Sequence, residues 1–103
     1  MASKVVCHCR ISLENGYVEL MSVVLDASKD GVKLQMPFEP SKEDVIELIK
    51  PNSNEYFCPN HVPLLVRWCR KIEINGKSLF EIGCQRGDTS LEICKTINNW
   101  YSN

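Results

Sequence analysis

The chain has 103 residues, of which 44% are hydrophobic and 24% charged, and its formal net charge at pH 7 is -1. This length supplies one modest hydrophobic core, so we expect a single domain over residues 1–103. The near-neutral charge argues against a protein that binds a nucleic-acid backbone, and no apolar run approaches the roughly 18–20 residues that span a membrane. With no secretory signal after Met1, we expect a cytoplasmic protein with no nucleic-acid and no membrane partner.

The first half of the chain alternates between apolar and polar residues with the period of β-strands. Residues 4–13 and 32–36 show this alternation, and residues 17–25 form a second β-rich run in which the alternation is blurred. Asn15-Gly16 predicts a hairpin between residues 4–13 and 17–25, because both residues tolerate positive φ. Residues 45–50 fit either a strand or a short helix, and Val45 and Ile46 favour the strand.

The strongest strand pattern lies in the second half. Apolar residues occupy its even positions except that of Arg70, and they are Val62, Leu64, Val66, Trp68, Ile72 and Ile74. The alternation predicts that Trp68 points into the core with Leu64 and Val66. Asn75-Gly76 predicts a second hairpin, and Phe80, Ile82 and Cys84 continue the alternation on the return strand.

The end of the chain changes to a helical period. Thr89-Ser90-Leu91-Glu92 fits a capping box, and apolar residues after it share one helical face. The residues on or beside that face are Leu91, Ile93, Cys94, Ile97, Trp100 and Tyr101. Six strands with tight turns and a single final helix predict an all-β fold, a six-stranded antiparallel β-barrel with the helix packed over it.

Six cysteines in so short a chain raise the question of disulfides or metal. In a cytoplasmic protein buried cysteines pack as small hydrophobes, so we expect reduced thiols. Cys7-His8-Cys9 together with Cys58 and His61 could supply four tetrahedral zinc ligands, and a small zinc-binding domain is therefore an alternative. The spacing is not that of a standard knuckle, and our prediction is that no metal is bound.

Three segments, in order along the chain, resemble the PilZ domain family. Asp26-Ala27-Ser28-Lys29-Asp30-Gly31 matches the family signature [D/N]-x-S-x-x-G between two strands. Val66-Arg67-Trp68 is similar to its Trp-bearing strand, and Phe80-Glu81-Ile82-Gly83-Cys84-Gln85 to its last strand. The resemblance covers most of residues 17–100 and implies a bacterial, non-enzymatic signalling module that receives cyclic di-GMP, with the base and a phosphate of the nucleotide contacting Asp26, Ser28 and Gly31.

One part of the family pattern has no counterpart in this sequence. PilZ receptors carry R-x-x-x-R before the first strand, where two arginines hold phosphates and stack on guanine. Here Lys4 is the sole cation before that strand, so either the domain lacks the clamp or the segment lies outside this sequence. We therefore expect weak or undetectable binding of cyclic di-GMP, with Lys4, Arg10 and Arg70 as the cations that would have to replace the clamp.

Family members without the two arginines act through protein contacts, some of them in type IV pilus assembly or motility. A module that binds an unidentified protein partner and ignores nucleotide is therefore the second alternative. Arg67, Arg70 and Lys71 cluster around one strand and would suit an anion or a protein partner. No motif brings a nucleophile, a base and a cofactor together, so we expect neither enzymatic activity nor a cofactor.

Overall fold

A computed structural model describes residues 5–51, 61–87 and 92–101. Six antiparallel strands close into a barrel in the order β1-β2-β3-β6-β5-β4, and one helix follows them. The elements are β1 (Val5–Leu13), β2 (Gly16–Ala27), β3 (Gly31–Met36), β4 (Val45–Ile49), β5 (His61–Ile74), β6 (Lys77–Arg86) and α1 (Ile93–Tyr101). The predicted fold class is confirmed, and the ambiguous fourth segment is a strand.

The hairpin between β5 and β6 turns at the predicted residues. Asn75 has φ 52° and Gly76 has φ 79°, the left-handed conformations that a two-residue turn needs. The hairpin between β1 and β2 turns one residue earlier than expected, since Leu13 pairs with Gly16 and the loop is Glu14-Asn15. Both turns connect neighbouring antiparallel strands, as short loops of this type do.

The core fills the barrel interior with alternate residues of all six strands. Its largest fully buried side chains on the strands are those of Ile11, Val24, Leu34, Met36, Ile46, Leu48, Val62, Leu64, Val66 and Ile82. Ile93 and Ile97 of α1 are also fully buried and belong to the same cluster. The helix therefore packs on the barrel core through Ile93 and Ile97, whereas Tyr101, which the period places with the same face, is 37% exposed.

Trp68 is not in the core, and the prediction that placed it there is wrong. Val66 pairs with Cys84, but Trp68 pairs with Gly83, so Arg67 is an extra residue that forms a bulge in β5. A single inserted residue moves every later side chain to the opposite face of the sheet. Trp68 therefore lies on the outside of the barrel, 45% exposed, and Ile74 is exposed further along the same strand.

The first turn of α1 is held by the loop between β2 and β3. The amides of Ile93 and Cys94 donate to the carbonyls of Lys29 at 3.1 Å and Ser28 at 3.0 Å. The helix begins at Ile93, later than the capping box predicts, and residues 89–91 of that box lie outside the described residues. No helix in the described part of the chain is long and apolar enough to cross a membrane.

Candidate functional site

The candidate site is a row of four residues on the outer surface of the barrel. Asp26 of β2 pairs with Lys33 of β3, Lys33 pairs with Gly83 of β6, and Gly83 pairs with Trp68 of β5. Paired residues of adjacent strands point to the same face of a sheet. Two side chains of opposite charge and an indole therefore stand in line around one glycine.

Two bulges turn this row outward. In β2, Val24 pairs with Leu34 and Asp26 pairs with Lys33, so Leu25 is the extra residue. Without it Asp26 would share the inward face of Val24, because side chains alternate along a strand. The bulge at Arg67 does the same for Trp68 in β5, so two irregularities on separate strands bring residues to one surface site.

Gly83 provides the space in which the indole of Trp68 lies. A Cβ built on Gly83 would be 2.6 Å from Cζ2 of Trp68, and it would contact Cε2 and Nε1 of the same ring more closely still. Real Cβ atoms do not approach other atoms this closely, so any larger residue here would displace the ring. The ring consequently lies against the backbone of β6 on one side and remains partly open to solvent.

An open pocket of about 250 Å³ surrounds this row. Its lining comes from the end of β2, the β2–β3 loop, β3, the bulge of β5 and β6, and consists of Asp26, Ala27, Ser28, Gly31, Val32, Lys33, Arg67, Trp68, Gly83 and Cys84. Burial, with a smaller effect of nearby thiols, raises the pKa of Cys84 to about 12. A thiol with such a pKa is protonated at neutral pH and is a poor nucleophile. Cys84 is therefore unsuited to act as a nucleophile in this pocket.

The β2–β3 loop, which forms one wall of the pocket, is stabilised by hydrogen bonds within the loop and by contacts with β6 and α1. The amide of Gly31 donates to Oγ of Ser28 at 3.1 Å, and the amide of Ser28 donates to the carbonyl of Gly31 at 2.8 Å. Arg86 of β6 makes an ion pair with Asp30 at 2.8 Å. Together with the bonds from the first amides of α1, these contacts hold the loop in one conformation against the sheet and the helix.

Beside the pocket, two cations share one carboxylate. Oε1 of Glu81 accepts a hydrogen bond from Arg70 at 2.8 Å and lies 3.9 Å from Nζ of Lys33. The Glu81 side chain is only 12% exposed, whereas those of Lys33 and Arg70 are 42% and 65% exposed. Glu81 is thus a nearly buried negative charge at the edge of a site whose lining includes Lys33 and Arg67.

Of the described residues predicted to bind ligand, Asp26, Ser28 and Gly31 come together, and Arg10 and Arg70 do not join them. Asp26, Ser28 and Gly31 line the pocket. Arg10 makes an ion pair with Glu19 on the β1–β2 surface, its guanidinium 4.6 Å from the ring centre of Tyr17. Arg70 is paired with Glu81, and neither arginine lines the pocket.

Lys4 lies outside the described residues. The alternation missed Trp68, Gly83 and Lys33 as site residues. It placed Trp68 in the core, and Lys33 is only the polar residue between Val32 and Leu34 in a predicted strand. The only signal in the sequence that pointed to Trp68 and Gly83 was their occurrence in the segments that resemble the PilZ family.

Three of the four predicted zinc ligands, Cys7, Cys9 and His61, lie within the described residues. Cys7 and Cys9 are fully buried in the barrel, where burial raises the pKa of both thiols, that of Cys9 to about 11. His61 contacts Glu47 through Nδ1 at 2.9 Å, and Cys58 lies outside the described residues. Within residues 5–51, 61–87 and 92–101 no group of three or more metal-ligating side chains is present. The described cysteines are free thiols.

Comparisons with family models, with curated proteins and with solved structures returned no match for this chain. The functional interpretation therefore depends on the residues of the motif, the barrel and the pocket.

Proposed function

We propose that this chain is a non-enzymatic, PilZ-like signalling module whose outer pocket receives a guanine nucleotide of the cyclic di-GMP type. The family resemblance supplies the class of ligand, and the pocket supplies the chemistry that suits it. A cyclic dinucleotide offers flat bases and two phosphates, which call for an aromatic surface and positive charge. The proposed setting is a bacterial cytoplasm.

One observation carries the proposal. The residues of the D-x-S-x-x-G motif, Asp26, Ser28 and Gly31, line the same pocket as an indole and the side chains of Lys33 and Arg67. Trp68 comes from a strand remote in sequence, and it reaches this pocket through a bulge. A loop that served only as a turn between strands would need neither the ring nor the cations beside it.

We expect the binding to be weak. The pocket of about 250 Å³ is smaller than the roughly 300–1,000 Å³ of sites that enclose a drug-sized ligand, so it accommodates part of a dinucleotide and leaves the rest open. Each charge-assisted bond from arginine contributes roughly 1.5–3 kcal/mol, and two such bonds from the R-x-x-x-R clamp have no counterpart here. Their loss weakens binding by on the order of a hundredfold to ten-thousandfold.

The test is a titration of the chain with cyclic di-GMP, followed by calorimetry and by the amide signals of a ¹⁵N-labelled sample. We expect a dissociation constant of about 100 μM or weaker, with the largest signal changes at Ser28, Gly31 and Gly83. ATP at the same concentration is the control for unspecific phosphate binding. Submicromolar affinity would contradict the expected weakness, and unchanged pocket signals at millimolar ligand would exclude the receptor function.

A second candidate is a module that contacts a protein and ignores nucleotide, as the family members without the arginine clamp do. The observation that favours it is on the β1–β2 surface, where Val6, Tyr17 and Met21 are each more than half exposed. Exposed apolar side chains on adjacent strands are common where proteins bind each other. A silent titration with cyclic di-GMP would favour this candidate over the first.

A further inference from the structure

We propose that Glu81 lowers the affinity of the pocket for anions in two ways. Its carboxylate attracts the side chains of Lys33 and Arg70, and it repels negative charge at the edge of the pocket. This inference rests on the proposed function, because it assigns a control residue to the same pocket. In this role the native glutamate keeps the affinity of the pocket for anions below the value that its lining cations would give without Glu81. The uncharged Glu81→Gln variant should therefore bind anions more tightly than the native chain.

The position of Glu81 follows from the register of three strands. It pairs with Gln35 of β3 and with Arg70 of β5, one outward position along β6 from Gly83. From there its Oε1 is 3.9 Å from Nζ of Lys33, which lines the pocket, and 2.8 Å from the guanidinium of Arg70, which does not. The carboxylate therefore draws one pocket cation and one adjacent cation toward itself.

Burial makes this charge more effective than an ordinary surface glutamate. The side chain of Glu81 is 12% exposed, so solvent screens its charge less than it screens the exposed Lys33 and Arg70. An anion that binds Lys33 would lie roughly 7 Å from the carboxylate, one hydrogen-bond length beyond the lysine. Repulsion between two unit charges at that distance near a protein surface, screened by salt at about 0.1 M, changes an affinity by about threefold to tenfold.

A second consequence concerns the cations themselves. The ammonium of Lys33 has three donors, so an anion in the pocket shares this cation with Glu81 and does not receive its full charge. The Gln side chain keeps the size of Glu and an oxygen that accepts from Arg70, but it no longer holds a lysine by charge. Glu81→Gln should thus release Lys33 to the ligand while the fold around β6 is retained.

The experiment compares the native chain with Glu81→Gln, Glu81→Asp and Glu73→Gln in titrations with inorganic pyrophosphate and with cyclic di-GMP at two salt concentrations. The amide signals of Lys33, Trp68 and Gly83 report binding at the pocket. Glu81→Asp keeps the charge, and Glu73→Gln makes the same charge change at an exposed residue that pairs with Ser78 toward the hairpin tip. Circular dichroism checks that each variant has the native strand content.

We expect Glu81→Gln to bind pyrophosphate about threefold to tenfold more tightly, with a steeper loss of affinity at higher salt, because one more cation is available. The affinities of Glu81→Asp and Glu73→Gln for pyrophosphate should equal that of the native chain within twofold. An unchanged or weaker affinity of Glu81→Gln would overturn the proposal, because a residue that merely supports the fold would not tighten binding or alter its salt dependence. Equal tightening in Glu73→Gln would also overturn it.

The two ligands separate this proposal from the proposed function. If pyrophosphate binds more tightly to Glu81→Gln while cyclic di-GMP binds neither chain, the role of Glu81 stands and the receptor function falls. If cyclic di-GMP binds both chains equally, the receptor function stands and the role of Glu81 falls. If neither ligand perturbs the pocket of any variant, both are wrong.

Discussion

The indole of Trp68 lies directly over Gly83, in the space that any other residue at that position would fill with its own Cβ. The two residues are opposite each other in the β5–β6 ladder, on the outer face of the barrel. This contact places an aromatic ring against the backbone of β6 in the lining of the candidate pocket. The position of the ring therefore depends on the absence of a Cβ atom at residue 83.

Replacing Gly83 with Ala should displace the ring and destabilise the fold by about 1–2 kcal/mol, the lower part of the range for overpacking, because an exposed ring can swing away. In a Trp68→Ala background, Gly83→Ala should leave the free energy of unfolding unchanged or raise it. Gly83 has no positive φ, so alanine fits its backbone, and alanine also reduces the conformational freedom of the unfolded chain. Urea unfolding of the four proteins measures this double-mutant cycle. Equal costs in both backgrounds would show that the ring does not lie on Gly83.

Replacing Trp68 with Ala should lower the free energy of unfolding by only about 1–2 kcal/mol, because nearly half of the ring is already exposed. Leu64 on the same strand is fully buried, and Leu64→Ala should cost about 2–5 kcal/mol. Chemical denaturation of the two variants checks the contrast. A larger loss for Trp68→Ala than for Leu64→Ala would restore the core assignment that alternation alone suggests.

Replacing Lys33 or Arg67 with Gln should each weaken nucleotide binding at the pocket by about tenfold, the effect of one charge-assisted hydrogen bond. Lys71→Gln is the matched control, since Lys71 lies further along β5 and does not line the pocket. Amide-signal titration with cyclic di-GMP in the millimolar range provides the measurement. Equal weakening in all three variants would mean that only the overall charge of the protein attracts the ligand.

Raising the pH should destabilise the barrel partly through Cys9. Burial raises the pKa of this thiol from 9.0 to about 11 in the folded chain. Folding thus favours the protonated thiol of Cys9. The stability that this preference contributes is fully present below pH 9 and is lost as the pH rises towards 11. Between pH 8 and 11 the free energy of unfolding should fall more steeply for the native chain than for Cys9→Ala. At pH 11 the additional loss in the native chain should be on the order of 2–3 kcal/mol.

Cys94→Ala, which removes a half-buried thiol at the start of α1, is the control for thiol removal in the pH series. Parallel pH curves of the native chain and Cys9→Ala would mean that the Cys9 thiol titrates alike in the folded and unfolded chain, contrary to its complete burial.

Local patterns in the sequence were enough to predict the barrel. Alternation located the strands to within a few residues, and Asn75-Gly76 specified a turn that the structure shows with both residues at positive φ. These predictions succeed because strand period and turn conformation depend on residues close together in the chain. The motif loop could be recognised for the same reason, and Asp26, Ser28 and Gly31 do line one pocket.

The rest of the site depends on how strands pair, which no local pattern contains. The bulges at Leu25 and Arg67 are visible only against β3 and β6. The bulge at Arg67 turns Trp68 from the predicted inward face to the outer surface, and the bulge at Leu25 places Asp26, predicted as a loop residue, on the same surface. Glu81 likewise meets Lys33 and Arg70 only because β6 lies between β3 and β5 in the closed barrel. The sequence by itself determined the strands, the turns and the motif loop, since these follow from local backbone preferences. Tertiary structure alone decided which side chains share the pocket, because one extra residue in a ladder reverses the face of everything after it.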